Sequence, residues 1–372
     1  MQKSIFGLLF LLTQSLNAHT EVQLKSIYYA IDKEKEEKIY ATALGGYLKY
    51  TTDTNRGLFT SVRFDTSNPV GGYSERSKTS LFNNDNNAKG FSTLTEAFIG
   101  FKKKNHILKL GNIMLKTPMM NDDTTRIVPW SYRGIAYIGE PFKDFKSQLY
   151  HIRSMRSNTS DLYTTKSPSG EFSKSGISIV SLHYEGIQHL KLQSFYYYSP
   201  TTFCSFFTQA DYEYFSNNVL IFCLGVQYIK SNHEKEIDLL ALRTLFDTDN
   251  WLFSLSYSQN FGVDGVNKGY GGLTKIYTRS MIANGRGDNK PKTWVLKSSY
   301  DLLLNNKESE IALWLTHTDY DDSKGDDLIS YYFHFKHFFN TDTSLHFRYE
   351  KIDYKGIKSD VQYFRTIASY RF

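Results

Sequence analysis

Val361-Gln-Tyr-Phe-Arg-Thr-Ile-Ala-Ser-Tyr-Arg-Phe372 is the stretch that decides the fold. Counted back by twos, Phe372, Tyr370, Ala368, Thr366 and Phe364 fall on one face. Arg371, Ser369, Ile367, Arg365 and Tyr363 fall on the other. Period two is the geometry of a β-strand, and the two faces differ in character. One suits an apolar neighbour and the other, with two arginines, suits water.

The same alternation recurs upstream. Ile329, Tyr331, Phe333 and Phe335 alternate with Ser330, Tyr332, His334 and Lys336, and Leu345, Phe347 and Tyr349 with His346, Arg348 and Glu350. Ile311, Leu313 and Leu315 alternate with Ala312, Trp314 and Thr316, and Trp251, Phe253, Leu255 and Tyr257 with Leu252, Ser254, Ser256 and Ser258. In a soluble sandwich the apolar face would meet a protein core. In an outer-membrane barrel it meets lipid, and the polar face lines a wet lumen. The aromatic last residue favours the barrel, because it resembles the terminal signal read by the barrel-assembly machinery, an expected partner during insertion.

The other end agrees. Lys3 is followed by the apolar run Ile5–Leu12 and by a polar stretch ending at Ala18. This is the order of a secretory signal peptide, so residues 1–18 are expected to be cleaved and residues 19–372 to form one barrel domain. The apolar run is shorter than the ~20 residues a spanning helix needs, and a lipoprotein would require a cysteine at the cleavage point. No other long apolar run follows. The mean hydropathy of −0.44 excludes a helical membrane bundle, while alternating barrel strands average low hydropathy. Aromatic residues at 16% with only 7 prolines suit strands bearing aromatic girdles. The net charge of +6 is scattered along the chain, which argues against a nucleic-acid partner. Cys204 and Cys223 are too few for a disulfide framework; a single disulfide is one reading and free thiols the preferred one.

Loop lengths orient the barrel. If Phe372 is periplasmic, periplasmic turns fall at Asn340–Thr343, Asn305–Glu308, Asp247–Asn250, Ser216–Asn218, Glu185–Gln188, Gly139–Lys143, Lys102–Lys104 and Thr52–Arg56. The long irregular stretches Ser67–Gly90, Leu115–Ser131, Met155–Lys174 and Phe261–Pro291, with the charge run Asp32–Lys38, then all lie outside. Short turns on one side and long loops on the other are the habit of such barrels. The parity carries to a first strand at Val22–Tyr29, so both termini are periplasmic. The tally is about 18 strands, with 16 as the lower bound. Pro200–Phe215 and Gly269–Ile282 read equally as strand or loop. A barrel of this size encloses a channel rather than a packed core.

Leu110–Gly134 reads L-G-N-I-M-L-K-T-P-M-M-N-D-D-T-T-R-I-V-P-W-S-Y-R-G. Through Leu110, Gly111, Thr117, Pro118, Asp122, Asp123, Arg126, Pro129, Tyr132 and Gly134 it resembles the OprD-type outer membrane porins. Gly45–Tyr50, Gly57-Leu58, Asn68–Gly72, Thr95–Phe98, Gly271–Thr274 and Gly285–Asp288 are similar to the same family, nearest its epsilonproteobacterial, major outer membrane protein-like branch. The resemblance covers most of the chain and implies an 18-stranded barrel whose third extracellular loop folds inward and narrows the pore. It also implies passive, selective uptake of small, often carboxylate-bearing solutes, guided by a ladder of arginines opposite acidic loop residues.

A narrow low-dielectric passage focuses the field of its charges, so a few opposed groups select solutes. Asp122 and Asp123 are candidate acidic members of the constriction, and Arg126 and Arg133 candidate basic members. The blander reading is that Arg126 pairs with Asp123 to hold the loop. Period two places Arg63, Arg348 and Arg365 on the lumen wall, between the outward Val62, Phe64, Phe347, Tyr349 and Phe364. Glu96, between outward Thr95 and Ala97, supplies a negative wall charge; Arg153 lies in a stretch that does not alternate cleanly. Asp319, Asp321, Asp322, Asp326 and Asp327 form an acidic external loop without the spacing of an EF-hand, so no cofactor is expected, and weak Ca²⁺ binding is the sharper alternative there.

No enzyme signature is present: there is no Gly-x-Ser-x-Gly, no His-Glu-x-x-His and no phosphate-binding glycine loop. The expectation is a non-enzymatic outer membrane porin passing ions and small hydrophilic solutes, with membrane lipid as its surroundings. Lipid-facing alternation fits a monomer and a homotrimer alike. The alternative is a surface adhesin or structural barrel acting through its long loops; a barrel hydrolase is a weaker third.

Overall fold

A computed structural model describes residues 18–372 except 168–169, 172–174, 201, 217–219, 234–235, 264–269, 284–289, 321–325 and 357. The proposed signal peptide up to residue 17, Asp321, Asp322 and Gly285–Asp288 lie outside the described residues. Among the described residues the chain forms an 18-stranded sheet. Its strands are β1 (Ala18–Lys33), β2 (Ile39–Thr52), β3 (Leu58–Pro69), β4 (Phe91–Lys103), β5 (His106–Ile113) and β6 (Ser131–Phe142). β7 (Phe145–Arg156), β8 (Ile177–Ile187), β9 (Leu190–Ser199), β10 (Phe203–Ser216), β11 (Leu220–His233) and β12 (Ile237–Asp247) follow. β13 (Trp251–Asn260), β14 (Lys292–Leu304), β15 (Lys307–Asp319), β16 (Asp327–Phe338), β17 (Thr343–Lys355) and β18 (Val361–Arg371) complete it. A two-residue hairpin, Lys166–Ser167 with Gly170–Glu171, stands apart in the β7–β8 connection. Each strand pairs antiparallel with the next, and β18 pairs back onto β1 from Gln23↔Arg371 to Lys33↔Val361, closing the barrel.

Closure leaves no free edge, so every strand satisfies its backbone groups within the sheet. The turns at the Phe372 end are tight. Leu304 pairs with Lys307 across Asn305 and Asn306, whose φ values of 51° and 58° are the two left-handed residues of a type I′ hairpin. Asparagine tolerates that region better than most side chains. Pro200–Phe215 resolves mainly into β10, while residues 270–283 form no strand.

The apolar faces point outward. Leu313 is 61% exposed, while the neighbouring Ala312 and Thr316 on the inner face are 1% and 0% exposed. Outward aromatics cluster towards the Phe372 end: the Trp251 and Tyr300 rings lie 4.5 Å apart, Phe222 and Phe246 4.9 Å, and Tyr370 and Phe372 4.5 Å. Near the loop end, Tyr257 and Trp294 pair at 4.4 Å. Two such bands are what a membrane-spanning barrel presents at its two interfaces.

The inside carries apolar contacts as well as polar wall. Ile27, Ile39, Ala41, Leu328 and Ile352, on inward faces near the loop end, are buried against Leu81, Phe82, Ile127 and Val128 from the connections. A second apolar cluster joins inward Ile152, Ile179, Tyr197 and Ile229 to Leu115, Met119, Met120 and Tyr270. These contacts between strand and connection residues give the barrel a partial apolar core at that end. Both thiols are free: Cys223 is buried and Cys204 partly so.

Two local readings need correction, and Arg153, whose stretch does not alternate cleanly, takes a definite place. Thr95 is not outward. The register shifts where Arg63 pairs Glu96 and Phe64 pairs Leu94, so Thr95 is the extra residue of a β-bulge and is 0% exposed. Arg133 is not inward: β6 begins at Ser131 with Tyr132 buried, which puts Arg133 on the exposed outer face with Ile135. Arg153 shares that outer face, as the unpaired residue of the bulge where Arg133 pairs Ser154 and Gly134 pairs Ile152.

Candidate functional site

Residues 114–130, between β5 and β6, form no strand yet are densely bonded. Thr117 donates to Met120 O from both its backbone N (3.1 Å) and its Oγ1 (2.6 Å), closing a turn over Pro118. Asn121 is the hub. Its Nδ2 donates to Thr117 O (3.2 Å) and Leu273 O (2.5 Å). Its Oδ1 accepts from Leu273 N (3.2 Å) and Asp123 N (3.3 Å), and its carbonyl accepts from Tyr132 Oη (2.7 Å). Asn121 N donates to Gly271 O (3.0 Å), Tyr270 N to Met119 O (2.8 Å) and Lys275 N to Pro118 O (2.9 Å). These bonds join the β5–β6 connection to the β13–β14 connection. Gly272 makes the junction possible: its φ is 74°, and a Cβ there would sit 2.3 Å from Asn121 O.

The joined segments touch walls far apart in the ring. Met119 N donates to Tyr197 Oη of β9 (3.2 Å), and Lys25 Nζ of β1 donates to Thr124 O (3.2 Å) and Arg126 O (3.0 Å). Both wall residues point inward, since their neighbours Leu24, Tyr196 and Tyr198 are exposed on the outer face. The β13–β14 connection continues along the inner wall. Tyr277 N donates to Gln227 Oε1 (3.0 Å) and Tyr277 Oη to Asp211 Oδ1 (2.7 Å). Ile282 N and Ala283 N donate to the Glu350 carboxylate at 2.6 and 3.2 Å. Phe261–Pro291 is the long connection expected at this end, and its residues 270–283 bond to the inner wall.

Arg126 meets the arginine wall. Its Nε donates to Ser80 O (3.1 Å), and its guanidinium lies 5.3 Å from the Tyr29 ring. Arg365 lies 4.6 Å from the same ring, so one tyrosine of β1 carries a loop arginine and a wall arginine. Arg348 Nε donates to Tyr332 Oη (2.8 Å). Arg63 forks onto Asp65, Nε to Oδ2 at 2.9 Å and Nη2 to Oδ1 at 2.8 Å, and stacks on Tyr47 at 3.7 Å. No ion pair within 4 Å joins Arg126 to Asp123 among the described residues; Asp123 Oδ1 instead accepts from Thr125 Oγ1 (2.7 Å) and Thr125 N (3.4 Å). The period-two placement of Arg63, Arg348 and Arg365 agrees with these contacts. Glu96 is buried and pairs with Lys49 at 3.5 Å.

A cavity of about 490 Å³ lies below Thr124–Ile127, towards the Phe372 end. Lys25, Arg63, Arg126, Lys336, Arg348 and Arg371 line it, with Asp342 as its acid. Lys25 was missed in the sequence, although counting by twos from outward Leu24 places it inward; Lys336 was on the polar face of its strand but not among the wall cations. A second cavity of about 470 Å³, against β8–β14, is lined by Lys116, Arg243, Lys275 and Lys297 beside Phe195 and Phe207. Asp122 answers this side. Burial pushes its carboxyl above the usual carboxylate range, while Lys116 and Lys275 pull the other way. Burial likewise lowers the Lys275 ammonium, with Asp122 opposing. Arg156, also missed, is 0% exposed and donates to Pro129 O (2.8 Å), Ser157 O (2.9 Å) and Ser160 O (2.8 Å), tying two connections together.

Among the described residues no cluster of His, Cys, Asp and Glu is arranged to hold a metal ion. Of the acidic loop, Asp319 lies 3.3 Å from His317, and the carboxylates of Asp326 and Asp327 accept from Lys358 N and Tyr320 N.

A family model described as outer membrane porin, OprD family, matches residues 55–286. Among solved structures, OccK9 (OpdG) of Pseudomonas aeruginosa is similar with a TM-score of 0.84 at 15% identity, over 96% of this chain and 98% of that one. OccAB4 of Acinetobacter baumannii gives 0.82 at 14% identity, over 97% and 99%. OccAB2 of the same organism gives 0.79 at 17% identity, over 96% and 98%. A search of curated proteins finds no sequence match.

Proposed function

The chain belongs to the OprD family of outer membrane porins, and on that premise we propose that it passes small anionic solutes, carboxylates above all, through a constriction between its β5–β6 connection and a basic wall. The observation that carries this reading is the imbalance around the 490 Å³ cavity, where six cationic side chains face Asp342. Among the described residues only Arg63 of these six is paired with a carboxylate. Unneutralised charge beside low-dielectric walls raises the local concentration of counter-ions, and multiple weak sites let them leave again.

The bonds from Lys25 to Thr124 O and Arg126 O support a β5–β6 connection that folds into the lumen and stays there. Tyr29 holds Arg126, which lines the cavity, beside the buried Arg365, whose charge adds to the field an anion meets at Arg126. Asp122 and Asp123 lie on the same connection and exclude solutes with surplus negative charge. No energy source is needed. Export through the 1–18 leader, with both termini periplasmic, completes the reading and accords with the short turns at the Phe372 end.

Purified protein in a planar bilayer is expected to give discrete conductance steps, with a reversal potential favouring anions. Arg126→Glu is expected to move that potential towards cations by several-fold in permeability ratio. Folded, heat-modifiable protein that stays silent would sink the proposal, and an unchanged ratio in Arg126→Glu would make Arg126 a loop fastener alone.

A further inference from the structure

Among the described residues, charges on the outer face near the loop end are few, and most stand beside an opposite charge. Lys230 faces Asp238 in register, Lys292 faces Asp319, and Lys351 Nζ lies 2.8 Å from Asp353. β6 and β7 break that pattern. Arg133 and Arg153 are both exposed on the outer face, and neither forms an ion pair among the described residues. Arg133 has Asn112 and Ser154 as its register partners, and Arg153 emerges beside Ser154 as the extra residue of the bulge. No acid is in register with either.

Arg133 is also held ready. Its Nε donates to Asn112 Oδ1 (3.1 Å), and its guanidinium lies 4.3 Å from the Tyr163 ring. Its two terminal nitrogens have no protein partner among the described residues. Close by on the same outer face, His151 Nδ1 and Ser178 Oγ meet at 3.1 Å, adding groups that can exchange hydrogen bonds. Arg133 is the third residue of β6 and Arg153 the fourth from the end of β7, which places both at the rim of the apolar band. A charge is tolerated there and penalised at mid-depth.

We propose that Arg133 and Arg153 form an outward docking surface for the phosphate-bearing headgroup of a glycolipid in the outer leaflet. The planar fork of arginine matches phosphate oxygens two at a time, and the bulge brings a second fork beside the first. The proposal rests on the barrel being oriented with its long connections outside.

The test is native mass spectrometry of the full-length barrel in detergent, titrated with bisphosphorylated lipid A and with its dephosphorylated counterpart. The wild type is expected to retain the bisphosphorylated lipid preferentially. Arg133→Ala/Arg153→Ala is expected to lose on the order of tenfold in affinity, and Arg133→Lys/Arg153→Lys to keep part of it. Equal binding of both lipids by the wild type, or unchanged binding by the double alanine variant, overturns the proposal. So does an oligomer mass that disappears in that variant, because the occupant would then be a second copy of the chain. Heat-modifiable mobility shows each variant folded, and bilayer conductance reads the pore separately. Arg153→Cys in a Cys204→Ser/Cys223→Ser background, treated with an impermeant thiol reagent on intact cells, checks orientation; labelling only after lysis overturns the outer-leaflet assignment.

Discussion

Arg126 and Arg133 stand seven residues apart in sequence and on opposite sides of the barrel wall. Arg126 lies in a connection bonded to inward Lys25 and lines a basic cavity. Arg133 lies in β6, beyond buried Tyr132, and is exposed outside. The same side chain therefore faces an inner cavity in one place and the outer rim of the barrel in the other. What separates them is the start of a strand at Ser131, since from that residue on parity alone assigns the face.

The sharpest way to break this comparison is to put a charge where the wall forbids it. Leu313→Arg, in the middle of β15 and 61% exposed on the outer face, is expected to destabilise the folded barrel by about 2–4 kcal/mol. The inward Ser369→Arg, on the wall of the 490 Å³ cavity, is expected to cost far less, measured by urea unfolding in lipid vesicles. Equal costs would mean that the two faces are wrongly assigned.

Removing the clamp on the inner side comes next. Asn121→Ala leaves Leu273 N and Thr117 O without their partner, an expected loss of about 1–3 kcal/mol. Single-channel current should become noisier or larger as residues 114–130 and 270–275 separate. A quiet, unchanged conductance would show that the junction does not set the aperture.

A smaller effect compares the two arginines directly. Arg126→Glu is expected to shift the anion-to-cation permeability ratio severalfold, whereas Arg133→Glu should leave it within error. Matching shifts in the two variants would put Arg133 back in the solute path.

The smallest concerns Asp122. Burial raises its carboxyl above the usual range, so it binds a proton at a higher pH than an exposed aspartate does. As pH falls through that raised value, one negative charge leaves the neighbourhood of Lys116 and Lys275, and anion preference should rise slightly. In Asp122→Asn the step should vanish; its persistence would assign the step to another group.

Much of the architecture was legible before any coordinates. Alternation from Phe364 to Phe372 assigned the correct outer face, and the turn at Asn305-Asn306 was marked by its residue types. Arg63, Arg348 and Arg365 followed from the same count. The failures share one physical origin, which is that periodicity carries no information where it is interrupted. Thr95 was misplaced by a bulge of one residue, and Arg153 sits in another. Arg133 was grouped with Arg126 because the strand boundary at Ser131 is invisible to a charge pattern. The inward course of residues 270–283 rests on tertiary bonds to Gln227 and Glu350, partners more than 40 residues away on either side.

The seam between β1 and β18 has a consequence for how the molecule comes into being. Its register joins Gln23 to Arg371 and Lys33 to Val361, the pairing with the greatest separation along the chain. Until that seam forms, the sheet has two open borders, each a row of unpaired amides ready to recruit a stray strand. Closure over so long a loop is entropically slow. A nascent chain thus spends its most vulnerable interval nearly finished, with the edge-to-face rings of Tyr370 and Phe372 still on an open border.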